Sequence, residues 1–135
     1  MKLITRDTDY ALRALTYIAG RKKRIITADD LVRKFRIPRP FLRKILQILN
    51  KKSVLKSFRG KRGGFILAKP PESIFVVDIM RIFQGPVKLN EHIFKNKVCP
   101  RIKTCVLKKK LDAIEGYVIR ELKAISIKSL ARDAR

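Results

Sequence analysis

The alternation of apolar and polar positions along the chain predicts a mainly helical protein. In residues 8–20 the apolar side chains recur every three to four positions, which is the spacing of one helix face. We expect Asp7 or Thr8 to cap the start of this helix and Gly20 to end it. The same period returns in later segments, so helices should form most of the fold.

Two segments with helical spacing follow each other closely after this first helix. Thr27 is a favourable N-cap residue, and Asp29 and Asp30 place carboxylates in the first turn, where the helix dipole favours them. This second helix should end before Pro38, because the residue before a proline is disfavoured in the α conformation. A third helix is predicted over residues 40–50, with one apolar and one polar face. Two short helices joined by a tight turn indicate a helix-turn-helix.

Strand patterning replaces helical patterning after this motif. Residues 54–58 and 65–68 are rich in strand-forming residues, and the glycine-rich segment 59–64 between them is typical of a hairpin turn. A helix-turn-helix followed by a basic hairpin is a winged helix. The expected fold class is therefore mainly α with a small β-hairpin wing.

The C-terminal half is predicted to hold further helices around one segment without a period. Residues 73–84 predict a short helix, whereas residues 86–103 are expected to form a loop. From Thr104 onward, apolar residues step by three or four and form a narrow seam. Such a seam suits pairing with a second helix, either of the same domain or of a second copy. Ile127 and Leu130 indicate a last short helix. The seam consists of Leu107, Leu111, Ile114, Val118, Leu122 and Ile125.

The charge of the chain indicates a polyanion as its partner. Lys and Arg number 34 against 11 Asp and Glu, a formal net charge of +23, while a hydrophobic fraction of 46% is still sufficient for a packed core. Thirteen of the basic residues lie between Leu31 and Pro71, where no Asp or Glu occurs. We call residues 31–71 the acid-free stretch. Because it would not repel phosphate and would release counterions on binding, it favours nucleic acid as the partner.

The predicted third helix and wing supply the candidate DNA contacts within the acid-free stretch. Arginine pairs with guanine in the major groove, and a glutamine there can pair with adenine. A guanidinium on the wing suits the negative potential of a narrow minor groove. The candidate DNA-binding residues are Arg39, Arg43, Lys44 and Gln47 on the helix and Arg59, Lys61 and Arg62 on the wing.

Three segments resemble the Rrf-two (Rrf2) family of bacterial transcription regulators, which includes iron–sulfur cluster regulators and a nitric-oxide sensor. Residues 8–15 (TDYALRAL) are similar to the start of the family, and residues 41–49 (FLRKILQIL) also match it. The strongest likeness lies in residues 54–68 (VLKSFRGKRGGFILA), which resemble the family's wing. Two cysteines and a following helix come in the family's order, so the resemblance covers nearly the whole chain.

The resemblance implies a homodimer that binds a roughly palindromic operator in double-stranded DNA. It places the dimer interface on the late helix and base or groove contacts near Phe41, Arg43 and Arg59, with Ser57 beside them on the wing. We therefore predict a sequence-specific transcriptional regulator, specifically a repressor. The predicted parts are a winged helix-turn-helix DNA-binding domain (1–86), a cysteine-bearing sensor loop (87–103), and a dimerisation helix with a C-terminal tail (104–135).

Cys99 and Cys105 are candidate ligands of a metal or of an iron–sulfur cluster, of the 2Fe–2S or 4Fe–4S type. Their spacing suits two thiolates on one metal, but clusters normally need four ligands. Family members that bind clusters usually carry a third cysteine further on, where this sequence has Leu111. Asp9 stands where some members supply an acidic ligand from the partner's first helix, and His92 is a further candidate. A thiol/disulfide switch and a cluster-free regulator with vestigial cysteines stay open as alternatives.

Other classes of protein fit the sequence less well. An RNA-binding protein would also be strongly basic, but the order of helix-turn-helix and wing favours duplex DNA. A single histidine and the lack of a Ser/His/Asp arrangement disfavour an enzyme. No apolar run approaches the ~18–20 residues of a membrane-spanning helix, and the N-terminus lacks a secretory signal. We therefore expect a cytoplasmic protein that does not associate with membranes.

Overall fold

Helices make up most of the chain that the computed structural model describes, namely residues 2–21, 24–89 and 105–133. A two-stranded antiparallel sheet follows the third helix. The fold class predicted from the sequence, mainly α with a hairpin wing, is confirmed. The elements are α1 (Arg6–Ala19), α2 (Ala28–Phe35), α3 (Arg39–Lys51), β1 (Leu55–Phe58), β2 (Gly64–Leu67), a 3₁₀ turn (Pro71–Ser73), α4 (Val76–Gln84), α5 (Val106–Lys123) and α6 (Ile127–Asp133).

The first helix begins earlier than its sequence pattern predicts. Thr5 is its N-cap, with an extended backbone and a side chain that accepts a hydrogen bond from the N–H of Thr8 at 3.4 Å. Thr8 is fully buried, and its hydroxyl donates to Oε1 of Gln84 at 2.7 Å. The prediction of Asp7 or Thr8 as N-cap is therefore wrong. Thr8 instead contacts Gln84 at the end of α4, and the local sequence pattern cannot reveal a contact with so distant a residue. Gly20 ends the helix as predicted.

The second helix starts at a reciprocal hydrogen-bonded cap. The N–H of Asp30 donates to the Thr27 hydroxyl at 3.1 Å, and the N–H of Thr27 donates to the Asp30 carboxylate at 3.0 Å. This capping box satisfies two backbone groups that a helix start otherwise leaves unpaired. Arg36, in a left-handed conformation with φ of 54°, ends α2, and Pro38 directly precedes α3. The predicted cap and break are both confirmed.

The wing is a hairpin that also pairs with the segment before α2. Strands β1 and β2 pair in the register Leu55 with Leu67 through Phe58 with Gly64. In addition, Ile26 and Phe65 exchange two backbone hydrogen bonds of 3.0 and 2.8 Å. This bridge attaches the wing to the helix-turn-helix.

The fourth helix is shorter than predicted because Ser73 belongs to the 3₁₀ turn and residues 74 and 75 are extended. The predicted segment 73–84 becomes helical only at Val76. The N–H of Val76 donates to the carbonyl of Ile125 at 3.0 Å, and the N–H of Ile127 donates to the carbonyl of Ile74 at 2.8 Å. These bonds pair residues 74–76 with the turn between α5 and α6, so a contact distant in sequence decides where α4 begins.

One hydrophobic core joins both ends of the chain. Leu15 of α1, Ile45 of α3 and Ile79 of α4 are buried in it, and so are Leu122 of α5 and Ile127 of α6. Helix α6 packs mainly against α1. The C-terminal helices thus hold the N-terminal helices in place. No helix in the described ranges has the length and hydrophobicity required to cross a membrane.

Candidate nucleic-acid interface

Helix α3 separates an apolar face from a basic face. Leu42, Ile45, Leu46 and Leu49 lie in the core. The predicted contact residues of this helix are all exposed to solvent: Arg39, Arg43, Lys44 and Gln47. Packing of the apolar face therefore fixes the direction of the basic one, as the periodicity predicts.

An aromatic side chain stands at the start of this basic face. Phe41 keeps 42% of its surface exposed, and the guanidinium of Arg6 lies 4.6 Å from the centroid of its ring. A cation at that distance from a ring face is attracted by the ring quadrupole. Arg6 belongs to α1, so α1 adds a positive charge beside α3 that the sequence pattern did not indicate.

The wing presents its polar residues at and near the hairpin turn. A tight turn closes the hairpin, with the N–H of Gly63 donating to the carbonyl of Gly60 at 3.0 Å. Gly60 has a φ of +105°, a conformation that favours glycine. The predicted wing contacts are exposed: Ser57, Arg59, Lys61 and Arg62. The turn therefore holds a group of cations away from the core.

Glycine is also required where the wing meets the segment before α2. A β-carbon on Gly64 would lie 2.6 Å from the carbonyl oxygen of Ile26. That oxygen accepts the hydrogen bond from the N–H of Phe65. The close approach of the two backbones thus depends on the missing side chain.

Acidic groups approach this basic surface at one helix start. Asp29, in the first turn of α2, forms an ion pair with Arg39. For Arg43, Arg59 and Arg62, no ion pair occurs with any residue in the described ranges. A cleft of about 650 Å³ between α2 and the wing brings Asp29 and Arg62 to the same part of the surface. The surface is therefore strongly positive apart from the acids at the start of α2.

The charge of Asp30 is stabilised by hydrogen bonds within that first turn. The hydrogen bond from the backbone N–H of Thr27 holds the pKa of Asp30 below its ordinary value, and hydrogen bonds from the Thr27 hydroxyl and from Arg33 lower it further. Arg33 donates to its carboxylate at 2.9 Å. Asp30 thus belongs to the helix cap, whereas Asp29 forms its ion pair with Arg39 of α3.

The candidate metal ligands do not come together in the part of the chain that the structure describes. Cys99 and His92 lie outside the described residues. Cys105 is the half-buried N-cap of α5, and its Sγ accepts a hydrogen bond from the N–H of Lys108 at 3.4 Å. The carboxylate of Asp9 accepts from Nε of Arg13 at 2.9 Å.

These donors do not fit a cluster with full cysteine ligation. The chain has two cysteines, and clusters are normally held by four thiolates. Leu111 lies half-buried on α5. Among residues 2–21, 24–89 and 105–133, no group of three or more His, Cys, Asp or Glu side chains could hold a metal ion.

Comparison with known proteins matches almost the whole chain to one family. The family model described as Rrf2, iron-dependent transcriptional regulator, covers residues 4–133. A predicted HTH-type transcriptional regulator of Aquifex aeolicus is 32% identical over 123 residues, which are 90% of this chain and 85% of the relative. Protein aau3 of Rhizobium meliloti is 28% identical over 128 residues, which are 88% and 83% of the two chains.

Solved structures share the fold over the same length. CymR, the global cysteine regulator of B. subtilis, aligns with a TM-score of 0.83 and 22% identity, covering 98% of each chain. IscR of T. potens aligns with a TM-score of 0.71 and 25% identity, covering 100% of this chain and 89% of that one. The winged-helix arrangement and the resemblance seen in the sequence are thereby confirmed. The chain belongs to the Rrf2 family of transcriptional regulators.

Proposed function

We propose that the protein is a transcriptional repressor that binds duplex DNA through α3 and the wing. The observation that carries this proposal is that α3 and the hairpin turn both expose cations to solvent, and that Asp29, which pairs with Arg39 of α3, lines one cleft with Arg62 of the wing. In this arrangement α3 lies in the major groove, where Arg43 and Gln47 contact base edges. Arg59, Lys61 and Arg62 contact phosphates or the minor groove beside it.

We propose further that the protein binds its operator as a homodimer. The N-terminal half of α5 supports this, because it exposes apolar side chains that a monomer would leave in water. Leu107 is 66% exposed and Ile114 51% exposed, whereas Leu122 at the other end of the helix is buried in the core. A twofold-symmetric dimer would present two copies of α3 to a palindromic operator with half-sites about one helical turn apart.

Electrophoretic mobility shift at several salt concentrations tests the DNA-binding proposal. The operator is first selected from a pool of randomised DNA duplexes. We expect affinity to fall steeply with salt, because each phosphate contact releases counterions. Duplex RNA of the same sequence should compete poorly, since α3 cannot enter the narrow major groove of A-form RNA. Equal competition by RNA, or an affinity insensitive to salt, would contradict the proposal.

We also propose that the segment carrying Cys99 and Cys105 receives the regulatory signal. Cys105 caps α5, so a chemical change at its sulfur acts on the start of the helix proposed to form the dimer. Two thiolates favour thiol chemistry, and an iron–sulfur cluster would need further ligands. Protein purified without oxygen distinguishes these inputs. Iron and sulfide that disappear in Cys99→Ser indicate a cluster, whereas iron-free protein after reconstitution excludes one.

A further inference from the structure

One acidic side chain lies at the edge of the proposed DNA-binding surface and contacts it directly. Asp29, in the first turn of α2, pairs with Arg39, the first residue of α3, so the ion pair crosses the turn of the helix-turn-helix. Both side chains are more than half exposed, with relative accessibilities of 60% for Asp29 and 52% for Arg39. The pair is therefore placed where DNA would approach.

Asp29 is not required to start the helix on which it lies. Thr27 and Asp30 form the capping box of α2, and Asp30 also binds Arg33. Because another carboxylate caps the helix, capping does not account for the contact between Asp29 and Arg39. The helix dipole favours a carboxylate in the first turn, but it does not require that contact. An exposed ion pair of this kind adds little to stability.

The ion pair has two opposite consequences for a DNA-binding surface. A carboxylate fixes the planar fork of an arginine, so Arg39 would meet the operator with its remaining donors already oriented. The same negative charge repels the phosphates of any duplex, whatever its sequence. Orientation of Arg39 favours the operator alone, whereas repulsion of phosphates weakens binding to every duplex. Together these effects raise the preference for the operator over other DNA rather than the affinity itself.

We propose that Asp29 is a specificity-determining residue, which orients Arg39 on the operator and weakens binding to unrelated DNA. This inference rests on the proposed DNA-binding function. Asp29 and Arg39 belong to consecutive helices and are ten positions apart, so neither helical periodicity nor composition indicates their contact.

The test compares Asp29→Asn with Glu121→Gln, which removes the same charge from an exposed position on α5. Affinities are measured for the selected operator and for a scrambled duplex of equal composition, and circular dichroism confirms the fold of each variant. For Asp29→Asn we expect affinity for the scrambled duplex to rise about 3- to 10-fold at low salt, from the loss of one repelling charge. Operator affinity should rise less or fall. The specificity ratio, which is the affinity for the operator divided by the affinity for the scrambled duplex, should therefore decrease. Glu121→Gln should leave the ratio unchanged.

A second pair of variants separates orientation from bulk charge. In an Arg39→Ala background, Asp29→Asn should raise operator and scrambled affinities equally, because no guanidinium is left to orient. An unchanged ratio for Asp29→Asn in the wild-type background would overturn this inference alone. Failure of the wild-type protein to bind any duplex would instead overturn the proposed function, and this inference with it.

Discussion

At the scale of single residues, a few polar contacts decide where helices start. Thr27 and Asp30 satisfy each other's backbone groups at the start of α2 and could be recognised from their spacing. The role of Thr8 could not be recognised from the sequence, because its hydrogen-bond partner Gln84 is 76 positions away. Local sequence reveals contacts of a few residues, whereas contacts made by the tertiary fold need the structure.

Removing the cap hydroxyl of α2 should measurably destabilise the fold. Thr27→Ala leaves the N–H of Asp30 without its partner, and we expect the free energy of unfolding to fall by about 1 kcal/mol. Urea denaturation measures the change. Thr16→Ala is the control, because the Thr16 hydroxyl donates to the carbonyl of Leu12 within a helix and caps nothing. Equal losses in both variants would contradict the role of the cap.

The same cap should make stability depend on pH in the acid range. The backbone hydrogen bond from Thr27 lowers the pKa of Asp30 in the folded state, so folding favours the charged carboxylate. This contribution is present above the pKa of the unfolded chain and is lost as the pH falls through the folded value. The difference in unfolding free energy between wild type and Asp30→Asn should therefore shrink on acidification below about pH 4. A constant difference would contradict this assignment.

At the scale of elements, the sequence predicts most of the DNA-binding unit. The apolar stripe of α3 is buried and its basic stripe exposed, as the period requires, and both wing strands lie within one residue of their predicted positions. The start of α4 was predicted too early. Helix α4 starts later because residues 74–76 pair with residues 125–127, and this pairing joins distant parts of the chain. The bridge from Ile26 to Phe65 escapes prediction for the same reason.

That bridge makes Gly64 a wing position that cannot accept a side chain without a shift of the backbone. In Gly64→Ala the new β-carbon would collide with the backbone of Ile26, and overpacking of this kind costs about 1–3 kcal/mol. DNA affinity should fall as well, because the wing loses its attachment. Thermal unfolding and mobility shift measure the two effects. Gly20→Ala is the control, since its β-carbon would lie 3.6 Å from the nearest atoms, an ordinary contact. A neutral Gly64→Ala would show that the bridge is dispensable.

At the scale of the whole molecule, the chain joins a basic surface to an apolar helix face that is partly exposed. The net charge of +23 indicates the basic surface, and the apolar seam of α5 indicates the helix face. The structure divides that seam, since Leu122 is buried within its own chain while Leu107 and Ile114 stay exposed. Sequence alone cannot make this division, because periodicity marks an apolar face without showing what covers it.

The exposed half of the seam should control assembly. We expect Leu107→Ser combined with Ile114→Ser to raise the dissociation constant of the dimer at least ~10-fold, because two buried apolar side chains are lost from the interface. Sedimentation equilibrium measures it, with Lys123→Ser on the same helix as control. Point variants are preferable to truncation, since Ile127 is fully buried in the core. An unchanged dissociation constant would place the interface elsewhere.

The most direct test of the central proposal is the operator affinity of arginine variants matched in charge. Arg43→Ala on α3 and Arg59→Ala on the wing each remove one exposed cation from the proposed surface, and Arg120→Ala removes one from α5. Titration of the selected operator should show a loss of about 1–3 kcal/mol in binding free energy for a base-contacting arginine, with unchanged folding. Arg120→Ala should bind nearly as wild type. Equal affinities for all three variants would contradict the proposal that α3 and the wing bind DNA.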